Sequence, residues 1–210
     1  MKLTAIEDLF LWSAYQPDRR IDFNGFYWRR EAGGVLIDPM PLREDSASWL
    51  REQEGNVRWI VLTNADHLRD SLALRDAFGS RIVAPESDRE ALDGCADEWY
   101  GDSEPLPEDL ASVIDVCWLR GGKTSAEAVL HLAPLRAILF GDAVRSHESG
   151  VLRLLPAPKL SDRAQLERDV ATLRERYFGD EQIRAVLLGD GDCLFTGARS
   201  AFVDLVEKFG

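Results

Sequence analysis

The sequence predicts a mixed α/β protein whose helices cover buried sheets, and three observations support this. Residues 58–62 and 183–188 are short, largely apolar runs of the kind found in strands that are buried on both faces. Residues 162–178 are amphipathic, with Leu166, Val170 and Leu173 on one face. Strands occur in both hairpin and strand–helix order, which indicates sheets with helices packed outside them.

The N-terminal half begins with short aromatic and β-branched runs between Pro, Asp and Gly turn signals, a pattern typical of strands. Gly33 and Gly34 indicate a hairpin turn, and Gly79 is suited to end a helix. The predicted strands lie at residues 9–12, 23–29, 35–37, 58–62 and 81–84, and the predicted helices at 43–53, 67–78 and 87–92.

The C-terminal half follows an acidic stretch with two prolines, residues 93–110, which is predicted to be an irregular loop. Residues 121–124 predict a tight loop, and Ser161 or Asp162 is the expected N-cap of the long amphipathic helix. The predicted strands of this half lie at residues 113–119, 128–132, 137–140 and 183–188, and the predicted helices at 162–178 and 197–208.

The net charge of the 210-residue chain is −12. A chain of this length buries enough surface to fold without a metal or a disulfide. Nucleic-acid binding depends on Lys and Arg side chains that neutralise phosphates, and the sequence contains no basic stripe. The composition therefore argues against nucleic acids and anionic membranes as partners, although a local pocket can still be positive.

The three cysteines, Cys95, Cys117 and Cys193, are widely spaced and form no CxxC pair, so neither a disulfide framework nor a Cys-rich zinc site is indicated. The first residues do not have a signal-peptide pattern. No apolar run approaches the roughly 18 residues that a membrane helix needs. We therefore expect a cytoplasmic protein with reduced thiols.

Three polar clusters follow predicted strands, at residues 63–67, 141–142 and 189–192. Strand ends beneath a layer of loops are where α/β proteins tend to bind ligands. His131 lies inside a predicted strand and is expected to be structural, whereas His147 is expected in a solvated loop.

The order of these segments resembles that of the metallo-β-lactamase superfamily. Residues 36–39 resemble its early "LIDP" segment and residues 63–67 its "THxHxDH" motif. Residues 122–126, 141–142 and 189–191 stand where the family has "GHTPG", "GD" and "GHG". The resemblance covers nearly the whole chain. It implies a single domain, residues 1–210, with a four-layer αββα sandwich and metal sites along the loop edge of its two sheets.

The resemblance also implies that the metal motifs are degenerate. The first metal histidine of the family corresponds to Asn64, and the histidine of the "GHTPG" loop corresponds to Lys123. The late histidine corresponds to Asp190, whereas the bridging aspartate is retained as Asp142.

Two alignments remain open for the segment after Asn64. If two residues are deleted there, Asp66 and His67 match the family's Asp-His pair. Without a deletion, Asp66 takes the place of the second histidine, and residues 68–69 take the place of the pair. The deletion is favoured because it preserves both residue identity and helix length.

The resemblance implies different ligand sets for the two metal sites of the family. The site of three histidines would have only Asn64 and Lys123, and an ammonium repels a cation, so we expect this site to be empty. The second site would have one imidazole and three carboxylates, a set suited to a single Zn, Mn, Fe or Mg ion. Its implied ligands are Asp66, His67, Asp142 and Asp190.

Two functions follow from these residues. The favoured one is a non-catalytic or small-molecule-binding protein without the dinuclear zinc site and with no cofactor, in which Lys123 neutralises Asp142 and Asp190. The alternative is a one-metal hydrolase of a thioester or other ester, with a divalent ion (Zn, Mn or Fe) lowering the pKa of a bound water. The sequence names no ligand and is compatible with a homo-oligomer. The expected pocket residues are Asn64, Asp66, His67, Lys123, Asp142 and Asp190.

Overall fold

The computed structural model describes residues 1–53, 56–179 and 183–209. The chain divides into two compact units, Met1–Ala111 and Ser112–Gly210. Within the described residues, no helix has the length and apolar character that crossing a membrane requires.

The first unit contains a mixed sheet whose described strands lie side by side in chain order. Strands β1 to β4 are antiparallel neighbours, and β4 to β7 are parallel neighbours. The strands are β1 (Lys2–Leu3), β2 (Leu9–Gln16), β3 (Ile21–Trp28), β4 (Gly34–Ile37), β5 (Val57–Val61), β6 (Arg81–Pro85) and β7 (Glu98–Tyr100), and the helices are α1 (Glu44–Glu52), α2 (Ser71–Phe78) and α3 (Glu108–Ala111).

The core of the first unit forms where the central parallel strands meet the helices. Leu36 of β4 and Ile60 of β5 are fully buried and share an apolar cluster with Leu50 of α1 and with Leu74 and Phe78 of α2. The predicted strands of this unit and the helices predicted at 43–53 and 67–78 are confirmed, with ends that differ by a few residues. Burial of both sheet faces explains why these strands are continuously apolar in sequence.

The helix predicted at residues 67–78 begins later than expected. A short 3₁₀ turn, Ala65–His67, follows β5, and α2 starts only at Ser71. Arg69 between them has a left-handed φ of 40°, which interrupts a continuous helix. Gly79 ends α2 with a φ of 67°, as predicted.

The prediction of an irregular loop at residues 93–110 is wrong in part. β7 pairs with β6 inside this stretch, and the hydroxyl of Tyr100 donates to the carbonyl of Leu62 at 2.7 Å. A strand of three residues is too short to show a period in sequence. The helix predicted at 87–92 is instead a 3₁₀ turn at Glu86–Asp88.

The second unit contains a sheet in the order β13-β10-β9-β8 and, among the described residues, a separate two-stranded sheet of β11 and β12. β10 and β13 run parallel, whereas β8, β9 and β10 are antiparallel neighbours. The strands are β8 (Ile114–Leu119), β9 (Glu127–Leu132), β10 (Ala137–Phe140), β11 (Val144–Glu148), β12 (Val151–Leu154) and β13 (Ala185–Leu188), and the helices are α4 (Arg163–Tyr177) and α5 (Ala198–Val206).

Helix α4 confirms the predicted amphipathic pattern. Leu166, Val170 and Leu173 are buried in the apolar cluster of the second unit. The carboxylate of Asp162 accepts a hydrogen bond from the backbone N–H of Gln165 at 2.9 Å, which is the predicted N-cap. The tight loop at 121–124 is anchored here, because the carbonyl of Gly121 accepts the backbone N–H of Asp162 at 3.1 Å.

The β11–β12 hairpin was not anticipated from the sequence. His147 lies in β11, so the prediction of a loop at this position is wrong. Ser146, His147 and Glu148 are consecutive polar residues, so the sequence of this strand shows no alternation of apolar and polar positions. His131 lies inside β9, as predicted, and its ring contacts that of Tyr177 with centroids 4.7 Å apart.

Candidate functional site

Asp38, directly after β4, organises the polar end of the first unit's sheet. Its side chain is fully buried and its φ is 47°, a left-handed conformation that Asp tolerates better than most residues. One carboxylate oxygen accepts the backbone N–H of Thr63 at 2.8 Å, and the other accepts the hydroxyl of Thr63 at 2.6 Å. These bonds fix the end of β4 to the segment that follows β5.

His67 is held by the same carboxylate. Its Nδ1 lies 2.7 Å from Oδ2 of Asp38, and the ring is buried. Because a carboxylate only accepts hydrogen bonds, Nδ1 carries the proton, and Nε2 carries a lone pair in the neutral ring. Metal-binding histidines often have such a carboxylate behind the ring, which orients the other nitrogen.

Arg69 lies at the other nitrogen of this imidazole. Its Nη2 donates to Nε2 of His67 at 3.1 Å. Its Nη1 donates to the carbonyl oxygens of Asn24 at 2.6 Å and of Asp38 at 2.9 Å. The left-handed turn at Arg69 thus places a guanidinium on the lone pair of His67.

Asn64 and Asp66 differ sharply in exposure. Asn64 is fully buried, and within the described part of the chain neither its Nδ2 nor its Oδ1 has a hydrogen-bond partner. Asp66 is exposed in the 3₁₀ turn. Its neighbour Ala65 donates its backbone N–H to Asp88 at 2.7 Å, and burial raises the pKa of the Asp88 carboxyl group.

In the second unit, Glu127 holds the loop that carries Asp142. Glu127 opens β9 and is buried. Its carboxylate accepts the backbone N–H groups of Gly141 at 3.0 Å, Asp142 at 2.7 Å and Ala143 at 2.9 Å. Charge-assisted bonds of this kind are the strong ones in proteins, so the loop after β10 is firmly placed.

Basic side chains lie near both aspartates of the second unit. Nζ of Lys123 lies 3.9 Å from Oδ2 of Asp142, with the side chains 36% and 10% exposed. Nη1 of Arg145 lies 3.9 Å from Oδ2 of Asp190, and both side chains are buried. The backbone N–H of Ser146 donates to the carbonyl of Asp190 at 3.3 Å, which ties β11 to the turn after β13.

Arg145 also contacts the imidazole of His147. Its Nη2 lies 2.9 Å from Nε2 of His147. Burial and the positive charges of Arg145 and Arg153 lower the pKa of His147. The ring is therefore a neutral acceptor for the Arg145 guanidinium.

Comparison with known proteins decides the family. A family model for the metallo-β-lactamase superfamily matches residues 1–209. The chain belongs to the metallo-β-lactamase superfamily. None of the curated proteins matches it.

Solved metallo-β-lactamase structures share the fold of this superfamily member. The DIM-1 metallo-β-lactamase is 19% identical, with a TM-score of 0.75 over 99% of this chain and 96% of the other. The metallo-β-lactamase from Pontibacter korlensis is 17% identical, with a TM-score of 0.73 over 99% and 98%. The one from Erythrobacter litoralis is 15% identical, with a TM-score of 0.70 over 99% and 92%. These likenesses confirm the predicted fold class, the αββα class of the superfamily.

Four residues that shape the site were not predicted as site residues. Asp38 was recognised only as part of the "LIDP" segment, although an acidic residue at a strand end is itself a signal. Arg69 occurred only in the alignment without a deletion. Glu127 and Arg145 gave one weak signal each, a charged residue at the edge of an apolar run.

The resemblance in sequence and the contacts of His67 and Asp190 both bear on metal binding at this site. Zinc is bound by imidazole, thiolate or carboxylate donors, and Asn64 and Lys123 stand where the resemblance places histidines. The retained imidazole of His67 already accepts a hydrogen bond from Arg69 at 3.1 Å. Arg145 lies beside Asp190 within the second unit, and its charge opposes that of a cation bound there.

Proposed function

We propose that this superfamily member is a non-catalytic, small-molecule-binding protein without the dinuclear zinc site. The observation that carries the proposal is the hydrogen bond from Nη2 of Arg69 to Nε2 of His67. A metal ligand must offer a lone pair to the ion, and His67 offers its lone pair to a guanidinium instead. In the histidine that most resembles a family ligand, the Nε2 atom therefore already accepts a hydrogen bond.

The charges of the second unit support the same function. Asp142 has Lys123 beside it, and Asp190 has Arg145 beside it. The proximity of Lys123 to Asp142 supports the metal-free hypothesis, and the charge beside Asp190 comes from Arg145. A divalent ion bound at either aspartate would be repelled by the neighbouring positive charge, most strongly by that of the buried Arg145.

The proposed ligand-binding residues are those predicted from sequence. We include Asn64 because its buried amide presents both a donor and an acceptor without a described partner, and a buried polar group of this kind calls for one. The proposal treats residues 1–210 as one domain. The remaining proposed pocket residues are Asp66, His67, Lys123, Asp142 and Asp190.

Elemental analysis tests this proposal most directly. Protein purified without chelator or added metal, and then incubated with Zn or Mn and desalted, is expected to carry far less than one ion per chain. A stoichiometric transition metal in either preparation would contradict the metal-free function. A Lys123→Met variant should lower the free energy of unfolding, because it removes the positive charge 3.9 Å from the Asp142 carboxylate.

A second function has its own supporting observation. His67, Asp142 and Asp190 are buried side chains of the types that hold a metal ion. The alternative proposal is a one-metal hydrolase of a thioester or other ester that uses these three residues, with Asp66 as a further ligand. It requires Arg69 to leave Nε2 of His67 when the ion binds. Stoichiometric metal in the purified protein would favour this alternative.

A further inference from the structure

The second unit contains a cavity at the other edge of its sheet from Asp142 and Asp190. β10 and β13 are parallel, so their first residues lie at one edge and the loops with the two aspartates follow the opposite edge. The cavity has a volume of about 420 Å³, within the range typical of small-molecule sites. Its lining residues are Arg136, Ile183, Arg184, Gly197, Ala198, Arg199 and Ser200.

The charge of this cavity is opposite to that of the protein. Arg136, Arg184 and Arg199 line it, and none of its described lining residues is acidic. The whole chain has 37 acidic residues and 25 Lys and Arg residues. A local concentration of positive charge on an acidic chain creates a field that attracts anions to this place.

Hydrogen bonds to backbone carbonyls hold Arg199 in place, and a backbone bond joins the segments of the other two arginines. Nε of Arg199 donates to the carbonyl of Phe178 at 2.9 Å, and its Nη2 donates to that of Gly179 at 3.3 Å. The backbone N–H of Arg184 donates to the carbonyl of Arg136 at 2.7 Å, which joins the two segments that carry these side chains. Carbonyl oxygens are uncharged, so the guanidinium of Arg199 keeps its full positive charge.

The first turn of α5 adds to this positive potential. Gly197 precedes the helix and offers no side-chain acceptor, and the first turn contains no acidic residue. The partial positive charge of a helix N-terminus then has the same sign as the arginines.

We propose that this cavity binds the oxyanion group of a small molecule, a phosphate or a carboxylate. Planar guanidinium groups match the geometry of both and bind them with paired hydrogen bonds. The arginines come from three separate segments around one cavity, which suits a compact anion better than an extended acidic chain. The site goes beyond the proposed function and does not depend on it.

Calorimetric titrations with inorganic phosphate and, separately, with succinate test the proposal. We expect one saturable site for at least one of the two anions. Saturation by phosphate alone identifies a phosphorylated ligand, and saturation by succinate alone identifies a carboxylate. Arg184→Gln and Arg199→Gln should each weaken the binding about tenfold, because each removes a charged donor.

A control variant, a second cavity variant and a variant outside the cavity make this test specific. Arg168→Gln is the matched control, because Arg168 is an exposed arginine of α4 that contacts only Gln165 among the bonds described, and it should leave anion binding unchanged. If Arg199→Gln fails to fold, exposed Arg184 carries the test. The proposal fails if neither anion gives a saturable site, if Arg168→Gln weakens binding as much as Arg184→Gln, or if Lys123→Gln abolishes the binding.

Discussion

The guanidinium of Arg69 donates to Nε2 of His67 at 3.1 Å, while Nδ1 of the same ring lies 2.7 Å from the carboxylate of Asp38. The imidazole is thus held from both nitrogens by side chains of its own unit. In a zinc protein the carboxylate would have the same role, but the other nitrogen would face the ion. Arg69 therefore contacts the nitrogen of His67 that would face an ion.

Removing this guanidinium should raise metal affinity. Arg69→Met frees the Nε2 lone pair and removes a positive charge, so we expect zinc to bind about tenfold more tightly than to the wild type. Competition against a coloured chelator measures this. Arg19→Met is the control, since Arg19 stacks on the same Phe23 ring as Arg69. Equal zinc affinity of the wild type and the Arg69 variant would contradict the role given to Arg69.

The carboxylate of Asp38 should be important for stability. Asp38→Asn keeps the size and tolerates the left-handed backbone, but it turns an amide donor toward the donors of Thr63 and His67. We expect the free energy of unfolding to fall by about 2–4 kcal/mol, because charged buried hydrogen bonds are lost. Urea denaturation monitored by tryptophan fluorescence gives this value. A loss below about 0.5 kcal/mol, as is usual for surface substitutions, would show that the network contributes little.

Glu127 is expected to stabilise the second unit through the loop that carries Asp142. Glu127→Gln removes the charge that accepts three successive backbone N–H groups, and it should cost about 2–4 kcal/mol of unfolding free energy. Glu148→Gln serves as the comparison, because Glu148 forms an exposed ion pair with Arg153 and such pairs contribute about 0–1 kcal/mol. Similar losses in both variants would refute the special role of Glu127.

His131 should make stability depend on pH. Burial lowers the pKa of His131 below its ordinary value of 6.5, while Asp115 opposes this shift and Arg176 adds to it. A lowered histidine pKa means that the unfolded chain binds more protons, so stability is lost as the pH falls through about 6.5. His131→Phe, which preserves a ring against Tyr177, should reduce that loss. Urea midpoints measured on both sides of this pH compare the two proteins, and an unchanged pH dependence would argue against the prediction.

The helices show which structural features a local sequence pattern can predict. Leu166, Val170 and Leu173 predicted the buried face of α4, and Gly79 predicted the end of α2, because both signals are local and repeat with the geometry of the helix. The start of α2 was missed by several residues. Nothing in the identity of Arg69 announces a left-handed φ, since its conformation depends on the carbonyl groups of Asn24 and Asp38 that its side chain binds.

The sequence by itself determined the fold class and the family, since motif order can be read along the chain. That Asn64, Lys123 and Asp190 replace family histidines is a prediction from the same motif order. Only the tertiary structure decided what each polar atom contacts. Asp38 and His67 are 29 positions apart, and Glu127 and Asp142 are 15 apart. A hydrogen bond requires distances near 3 Å and narrow angles. Such contacts arise only when the strands are in register and the turns have formed.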